Sequence, residues 1–173
     1  MTLTKSAVQT HLEYNHDPAK IMTSLNRMLL RQSDRAMYAT MIMLKIDLGT
    51  LSAELCNAGH LPILHINGNT GELNHRYKKG MGLGIHEKAE YSNLAFPITR
   101  GDLIIMFSDG LIETRDREMK VRELSDFVQI IKKIKPEKGD YPAEIATTIL
   151  KTVKESDFSE KMEDDSTVIV IKL

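Results

Sequence analysis

The hydrophobic pattern changes its period along the chain, and this change restricts the fold more than any other feature of the sequence. Between residues 38 and 107, apolar and polar side chains alternate in short segments that Gly- and Asn-containing turns separate. Helical spacing precedes and follows this region, and a last apolar strand covers residues 167–173. Strands followed by helices and a returning strand predict an α+β fold of mostly antiparallel sheets, in a single domain over residues 1–173.

Local signals predict the individual elements. Asp17 can cap a helix that begins at Pro18, because its carboxylate accepts backbone N–H groups and proline has no N–H to leave unpaired. The predicted helices cover residues 2–14, 18–32, 111–117, 121–134 and 142–153. The predicted strands before the last one cover residues 38–47, 51–57, 63–66, 72–77, 91–98 and 102–107. We expect the first three of these strands to form an antiparallel meander.

Charge and cysteine content exclude several classes of protein. The 23 Lys and Arg residues nearly balance the 24 Asp and Glu residues, so there is no broad positive field for binding nucleic acid or an anionic membrane. Cys56 is the single cysteine, which excludes an internal disulfide and favours a reducing, cytoplasmic location. Because Cys56 lies within a predicted strand, we expect it to be a buried small hydrophobe. The apolar stretches are too short to span a membrane.

Acidic residues stand at the ends of two predicted strands. Asp109 follows an apolar strand directly, and Asp164 and Asp165 precede the last strand. If the two strands are antiparallel neighbours, Asp109 and Asp164 converge at one edge of the sheet. Convergent carboxylates repel each other unless a divalent cation lies between them, and their hard oxygens favour Mg²⁺, Mn²⁺ or Ca²⁺ over zinc. The alternative is structural, because Asp-Gly often forms a turn and Asp-Asp often lies in a solvated loop.

Four motifs also follow one another in a specific order. They are Asn57-Ala58-Gly59-His60-Leu61-Pro62, Gly80-Met81-Gly82-Leu83-Gly84-Ile85, the run GDLIIMFSDGLIE from Gly101 to Glu113, and Asp164-Asp165-Ser166-Thr167. In this order they resemble the signatures of the SpoIIE/RsbU-type serine phosphatases, the bacterial branch of the metal-dependent type-2C protein phosphatases. The resemblance extends over about residues 18–173 and includes Leu25-Asn26-Arg27 and Ala39-Thr40.

The resemblance implies a type-2C phosphatase-like αββα sandwich with a pair of Mn²⁺ or Mg²⁺ ions at one rim, where metal-activated water attacks phosphoserine or phosphothreonine. Asp109 matches the metal ligand of the family's Asp-Gly motif, and Asp164 matches the ligand that opens its final Asp-Asp motif. Asp165, Gly110 and Glu113 are weaker candidates for contact with a metal or with its ligands. For Glu113, a solvated carboxylate at a helix start is an equally good explanation.

A second group of motif residues is interpreted mainly as structural. Asn57, Gly59 and His60 fit a tight turn at the end of a strand, and a direct proton-transfer role for His60 is the less favoured alternative. Gly82 and Gly84, together with Gly80, are expected to permit an unusual loop backbone near the site. Their spacing does not match a dinucleotide-binding fingerprint.

The sequence departs from the family pattern at its start. The family's opening Gly-Asp-x-x-Gly-His-Gly-type loop, which supplies an Asp and a carbonyl shared by the metals, is absent from these 173 residues. We therefore expect a domain that is N-terminally truncated relative to the family. Three explanations are open: a fragment of a longer enzyme, which is favoured, a metal-poor relative that binds its partner without turnover, or two chains that complete each other as a homodimer.

Two functions follow from these considerations. By resemblance, the first is a protein-serine/threonine phosphatase that acts in partner switching on a phosphorylated anti-sigma-factor antagonist-like protein. The second is a non-catalytic module that binds such a partner or a second copy of the chain. Neither function involves nucleic acid or a membrane, and dependence on Mn²⁺ or Mg²⁺ separates the two.

Overall fold

The structure is a computed structural model that describes residues 6, 8–10, 16–32, 38–112, 122–134, 140–156 and 165–173. The helices whose two ends both lie within these ranges are α1 (Pro18–Gln32), α2 (Leu124–Ile134) and α3 (Pro142–Lys154). The strands are β1 (Met41–Asp47), β2 (Ser52–Ala58), β3 (Ile63–Ile66), β4 (Leu73–Arg76), β5 (Leu94–Pro97), β6 (Leu103–Phe107) and β7 (Val168–Lys172). The chain forms two compact units: Met1–Pro62 with Arg76–Ile98, and Ile63–His75 with Thr99–Leu173.

In the first unit, α1 packs on a three-stranded antiparallel sheet of order β1-β2-β5. The helix begins where the sequence predicts, because Asp17 Oδ1 accepts a hydrogen bond from the N–H of Ala19 at 3.0 Å. Its apolar face lies against the sheet, and burial of this face supplies most of its stability. The buried core of this unit consists of Ile21, Met22, Leu25, Cys56, Ala58 and Leu83.

The second unit is built on a four-stranded sheet of order β4-β3-β6-β7. β6 pairs antiparallel with both β3 and β7, and α3 packs on β7 and on α2. The buried rings of Phe107 in β6 and Phe127 in α2 have their centroids 4.4 Å apart. This aromatic contact fixes α2 on the sheet.

The predicted α+β class with mostly antiparallel sheets is confirmed, and several element ends are shifted. β1 begins at Met41 because Ala39 instead exchanges two backbone hydrogen bonds with Leu83, at 3.0 and 2.8 Å. The predicted helices over residues 2–14 and 111–117 lie largely outside the described residues. Ser6 and residues 8–10 are helical, and Asp109–Leu111 form a 3₁₀ turn. Within the described ranges, no helix is both long enough and apolar enough to cross a bilayer.

The predicted meander of the first three strands is wrong. β1 and β2 pair antiparallel, but β3 belongs to the other sheet, where it lies beside β6. The cause is the turn that follows β2. Gly59 has a φ of +72°, and the Asn57 side chain bonds the N–H and the carbonyl of His60 at 2.7 and 2.9 Å. This turn ends the ladder, so the chain leaves the first sheet instead of reversing beside β2.

A buried network of hydrogen bonds surrounds Asp102, just before the start of β6. No spacing signal in the sequence indicates this network. Asp102 is fully buried, and its Oδ2 lies 2.7 Å from His65 Nε2. The same carboxylate accepts the N–H groups of Gly68 and Thr99, each at 2.8 Å, and the Thr99 hydroxyl at 2.6 Å. Burial raises the pKa of Asp102, but the hydrogen bonds outweigh burial and hold the pKa below its ordinary value.

Asp102→Asn is expected to destabilise the chain by about 3 kcal/mol at neutral pH, because buried donors then face an amide instead of a carboxylate. Since the folded-state pKa of Asp102 is below the unfolded value, the contribution of this group is complete above about pH 5. It is lost as the pH falls below about 4, through the folded-state pKa. Urea unfolding of both proteins from about pH 7 to about pH 3 measures the difference.

Glu155→Gln is the control for that experiment, because it removes the same charge from an exposed side chain of the second unit. This control variant is expected to stay within about 0.5 kcal/mol of the wild type at every pH. An Asp102→Asn difference that does not change with pH would contradict the assignment of the charged carboxylate to this network.

Candidate functional site

The site predicted at the ends of two strands lies in the second unit, where β6 and β7 are adjacent and antiparallel. Their ladder ends with Phe107 opposite Val168. Pairing continues one step further, because the Ser108 N–H donates to the Thr167 carbonyl at 3.0 Å and the Thr167 N–H donates to Ser108 Oγ at 2.9 Å. The condition set by the sequence, that these two strands are antiparallel neighbours, is met, and the chain segments beyond them emerge at one edge of the sheet.

Two serines cross-link the emerging segments. Ser108 Oγ donates to the carbonyl of Asp165 at 3.1 Å, and Ser166 Oγ donates to the carbonyl of Gly110 at 3.0 Å. Ser108 therefore bonds the backbone of Asp165 itself, and Ser166 bonds the backbone of the residue that follows Asp109. This reciprocal pair of hydrogen bonds limits how far the Asp109 segment and the Asp165 segment can move apart.

Asp109 begins the 3₁₀ turn, and its side chain is exposed while Gly110 and Leu111 are buried. One carboxylate oxygen, Oδ1, accepts the N–H of Gly110 at 3.1 Å. Asp165 is exposed as well. Both residues carry carboxylate oxygens, the type of ligand that a hard divalent cation prefers.

Two predicted site residues, Asp164 and Glu113, lie outside the described residues. Among the residues that are described, no three His, Cys, Asp or Glu side chains cluster closely enough to hold a metal ion. The described donors are the carboxylates of Asp109 and Asp165 and the carbonyl of Gly110. All of them are oxygen donors, and their chemistry fits Mn²⁺ or Mg²⁺ rather than a soft metal.

Arg122 hydrogen-bonds the end of the Asp109 turn from the interior of the second unit. No pattern in the sequence indicates this contact. Its guanidinium is buried, with Nη1 donating to the Leu111 carbonyl at 3.0 Å and Nη2 to the Val153 carbonyl at 3.4 Å. Nη2 also donates to Ser156 Oγ. Burial lowers the pKa of Arg122, and the charge of Asp126 opposes that shift.

The remaining motif residues lie in the first unit. Asn57 closes the turn after β2, and His60 is half-buried, with Nδ1 3.5 Å from Thr40 Oγ1. Gly59 comes close to Gly82, since a Cβ atom on Gly59 would lie 3.1 Å from the Gly82 nitrogen. The first turn and the glycine motif are therefore in direct contact. This contact leaves little room for a side chain at Gly59.

Asn26 of α1 hydrogen-bonds the glycine motif, a contact that its helical spacing does not indicate. Its side chain is buried, its Oδ1 accepts the N–H of Gly84 at 2.8 Å, and its Nδ2 donates to the His86 carbonyl at 3.0 Å. Gly84 has a φ of +81°, a conformation that favours glycine. The oxygen and the nitrogen of this one side-chain amide thus each hydrogen-bond the backbone of this loop.

Cys56 lies within β2 and is completely buried, as expected. Burial raises its pKa to about 11, and the nearby charge of Asp17 adds to the shift. At neutral pH the thiol is therefore protonated. A protonated, buried thiol is a poor nucleophile, so Cys56 does not contribute to a catalytic centre.

Gly80→Ala is expected to destabilise the chain by about 3 kcal/mol, because backbone must move to admit the new methyl group. A Cβ atom at Gly80 would lie only 1.8 Å from the Asn57 carbonyl oxygen. Gly71→Ala is the matched control: φ is +71°, and no atom lies within 4 Å of the added Cβ. This control variant should lower the free energy of unfolding only by the local backbone strain, about 1 kcal/mol. If chemical unfolding shows the same loss of unfolding free energy for both variants, that result would argue against the close approach at Gly80.

Comparisons with known proteins extend over almost the whole chain. A family model described as Stage II sporulation protein E (SpoIIE) matches residues 1–173. The chain is 25% identical over 177 residues to phosphoserine phosphatase RsbU of Bacillus subtilis (strain 168). That match covers 99% of this chain and 50% of RsbU, so the chain spans half the length of this curated relative.

Two solved structures share the fold. The structure of the RsbU and RsbW domains of Rv1364c from Mycobacterium tuberculosis aligns with a TM-score of 0.80 at 20% identity, covering 99% of this chain and 46% of that chain. The phosphatase domain of SpoIIE from Bacillus subtilis, presoaked with Mn, aligns with a TM-score of 0.66 at 24% identity, covering 98% of this chain and 73% of that chain. The predicted type-2C phosphatase-like fold class is confirmed.

Proposed function

The chain belongs to the SpoIIE family, and from this premise we propose that it is a metal-dependent protein-serine/threonine phosphatase that hydrolyses phosphoserine. The observation that carries the proposal is the cross-linked edge at the ends of β6 and β7, where Ser108 and Ser166 tie together the Asp109 and Asp165 segments. Acidic residues held at one exposed edge can bind a cation and remain accessible to a phosphorylated protein.

In the proposed site, Asp109 and Asp164 are the metal ligands, and Asp165, Gly110 and Glu113 are further candidates for contact with the metal or its ligands. A bound Mn²⁺ or Mg²⁺ would supply a Lewis acid for the phosphoryl oxygens and lower the pKa of a bound water. The chain's own contribution is to hold its oxygen donors in place. Asp109 is held by the 3₁₀ turn, and Ser108 and Ser166 hold that turn against the segment before β7.

The names of the relatives support the choice of substrate and metal. One relative is a phosphoserine phosphatase, a solved structure joins an RsbU domain to an RsbW domain, and another was presoaked with Mn. We propose, on that basis, that this chain acts on a phosphorylated anti-sigma-factor antagonist-like protein in a partner-switching pathway. The homodimer and the cytoplasmic location stay predictions. The assignment of residues 1–173 to a single domain also stays a prediction.

Asp109→Asn is expected to lower Mn²⁺-dependent hydrolysis of a phosphoserine peptide by at least about a hundredfold, because a neutral amide is a poor ligand for a hard cation. The assay compares wild type and variant with added Mn²⁺ and with EDTA. Glu155→Gln is the matched control, since it changes an exposed carboxylate of the same unit outside the proposed site. Wild-type activity that persists in EDTA, or an Asp109→Asn variant as active as the control, would refute the metal-dependent mechanism.

Asp164→Asn and Asp165→Asn test the assignment of the second acidic pair. Asp164→Asn is expected to lower activity about as much as Asp109→Asn, and Asp165→Asn by only about tenfold, as for a residue that contacts a ligand rather than the metal. Activity at increasing Mn²⁺ concentration measures both effects. The reverse order would assign the ligand role to Asp165. Binding of the phosphoprotein without any turnover by the wild type would instead support the non-catalytic module.

A further inference from the structure

We propose that Arg122 is a positioning residue for the metal ligand Asp109: its buried guanidinium fixes the turn from which this carboxylate projects. The inference rests on the proposed function, because it assumes that Asp109 binds a metal. Arg122 itself does not reach the edge of the sheet where Asp109 is exposed. It acts from the interior of the second unit, through backbone carbonyls.

The geometry of the turn couples Arg122 to Asp109. Asp109, Gly110 and Leu111 form one 3₁₀ turn, closed by bonds from the Leu111 N–H to the Ser108 carbonyl at 3.2 Å and from the Ile112 N–H to the Asp109 carbonyl at 2.7 Å. Arg122 Nη1 holds the carbonyl of Leu111 at the end of this turn. Because the turn is so short, a shift of the Leu111 carbonyl also displaces Asp109.

The other acceptors of Arg122 lie at the C-terminal end of α3. The Val153 carbonyl lies in the last turn of α3, and Ser156 follows that helix, with its hydroxyl also donating to the Val153 carbonyl at 2.6 Å. One side chain therefore holds both the turn of Asp109 and the C-terminal end of α3.

The burial of Arg122 has an energetic cost that its hydrogen bonds offset. Arg122 is 2% exposed, and burial of a charged guanidinium is costly unless several good hydrogen bonds compensate for lost hydration. The planar, forked guanidinium can hold acceptors in fixed directions at the same time, whereas a lysine ammonium is a point charge on a flexible stem. Arginine is thus suited to fix two chain segments relative to each other, and lysine should do so only in part.

The experiment measures Mn²⁺ affinity by calorimetry and thermal stability in EDTA, for the full chain and for Arg122→Met and Arg122→Lys. We expect Arg122→Met to weaken Mn²⁺ binding by about tenfold and Arg122→Lys by about threefold, since lysine restores part of the contact. Asp102→Asn is the matched control, because it removes a buried charge at the other end of β6. It should lower stability yet leave Mn²⁺ affinity within about twofold of wild type, since Asp102 does not contact the turn.

The outcomes separate this proposal from the proposed function. Arg122 variants that lose stability but bind Mn²⁺ as tightly as wild type would overturn the positioning role. If Arg122→Met does not fold, Arg122→Lys and Ser156→Ala decide the question by the same affinity measurement. A wild type that binds Mn²⁺ but hydrolyses no phosphoserine peptide refutes the phosphatase function and leaves the Arg122 comparison intact. A wild type that binds no Mn²⁺ overturns both.

Discussion

The antiparallel pairing of β6 with β7 joins two segments that are far apart in sequence, and the register of that pairing decides what lies at the edge of the sheet. Phe107 stands opposite Val168, and a shift of one residue would exchange the faces of all side chains in β7. Hydrogen bonds between Ser108 and Thr167 extend the pairing to the point where the strands diverge. The segments that carry Asp109 and Asp165 emerge at one edge because this register is fixed.

Buried charged groups stabilise the chain near both ends of β6. At the start of the strand, the Asp102 carboxylate binds His65 and the backbone of two connecting loops. Beyond its end, Arg122 binds backbone carbonyls of a turn and of a helix terminus. Each group would be costly to bury alone, and each binds partners more than 30 residues away in sequence: His65 and Gly68 for Asp102, Val153 and Ser156 for Arg122. Both groups therefore hydrogen-bond irregular backbone segments outside the sheet.

Sequence periodicity predicts elements well where burial alone decides them, as in α1, with its Asp17 cap, and in β6. It could also predict the convergence of Asp109 with the last acidic segment, because both flank apolar strands. It could not assign β3 to a sheet, since alternation reports which face is buried and not which strand is adjacent. His65 with Asp102, and Arg122 with its acceptors, are contacts between distant residues that carry no local spacing signal.

The burial of Cys56 has a practical consequence. It is the single cysteine of the chain, and with a pKa of about 11 its thiol is protonated and shielded from reagents in the folded protein. A cysteine introduced at a chosen surface position would therefore be the reactive thiol at neutral pH, and a spin label or fluorophore could be attached there without removing the native residue. The native Cys56 would therefore take up no label of its own in distance measurements between the two compact units.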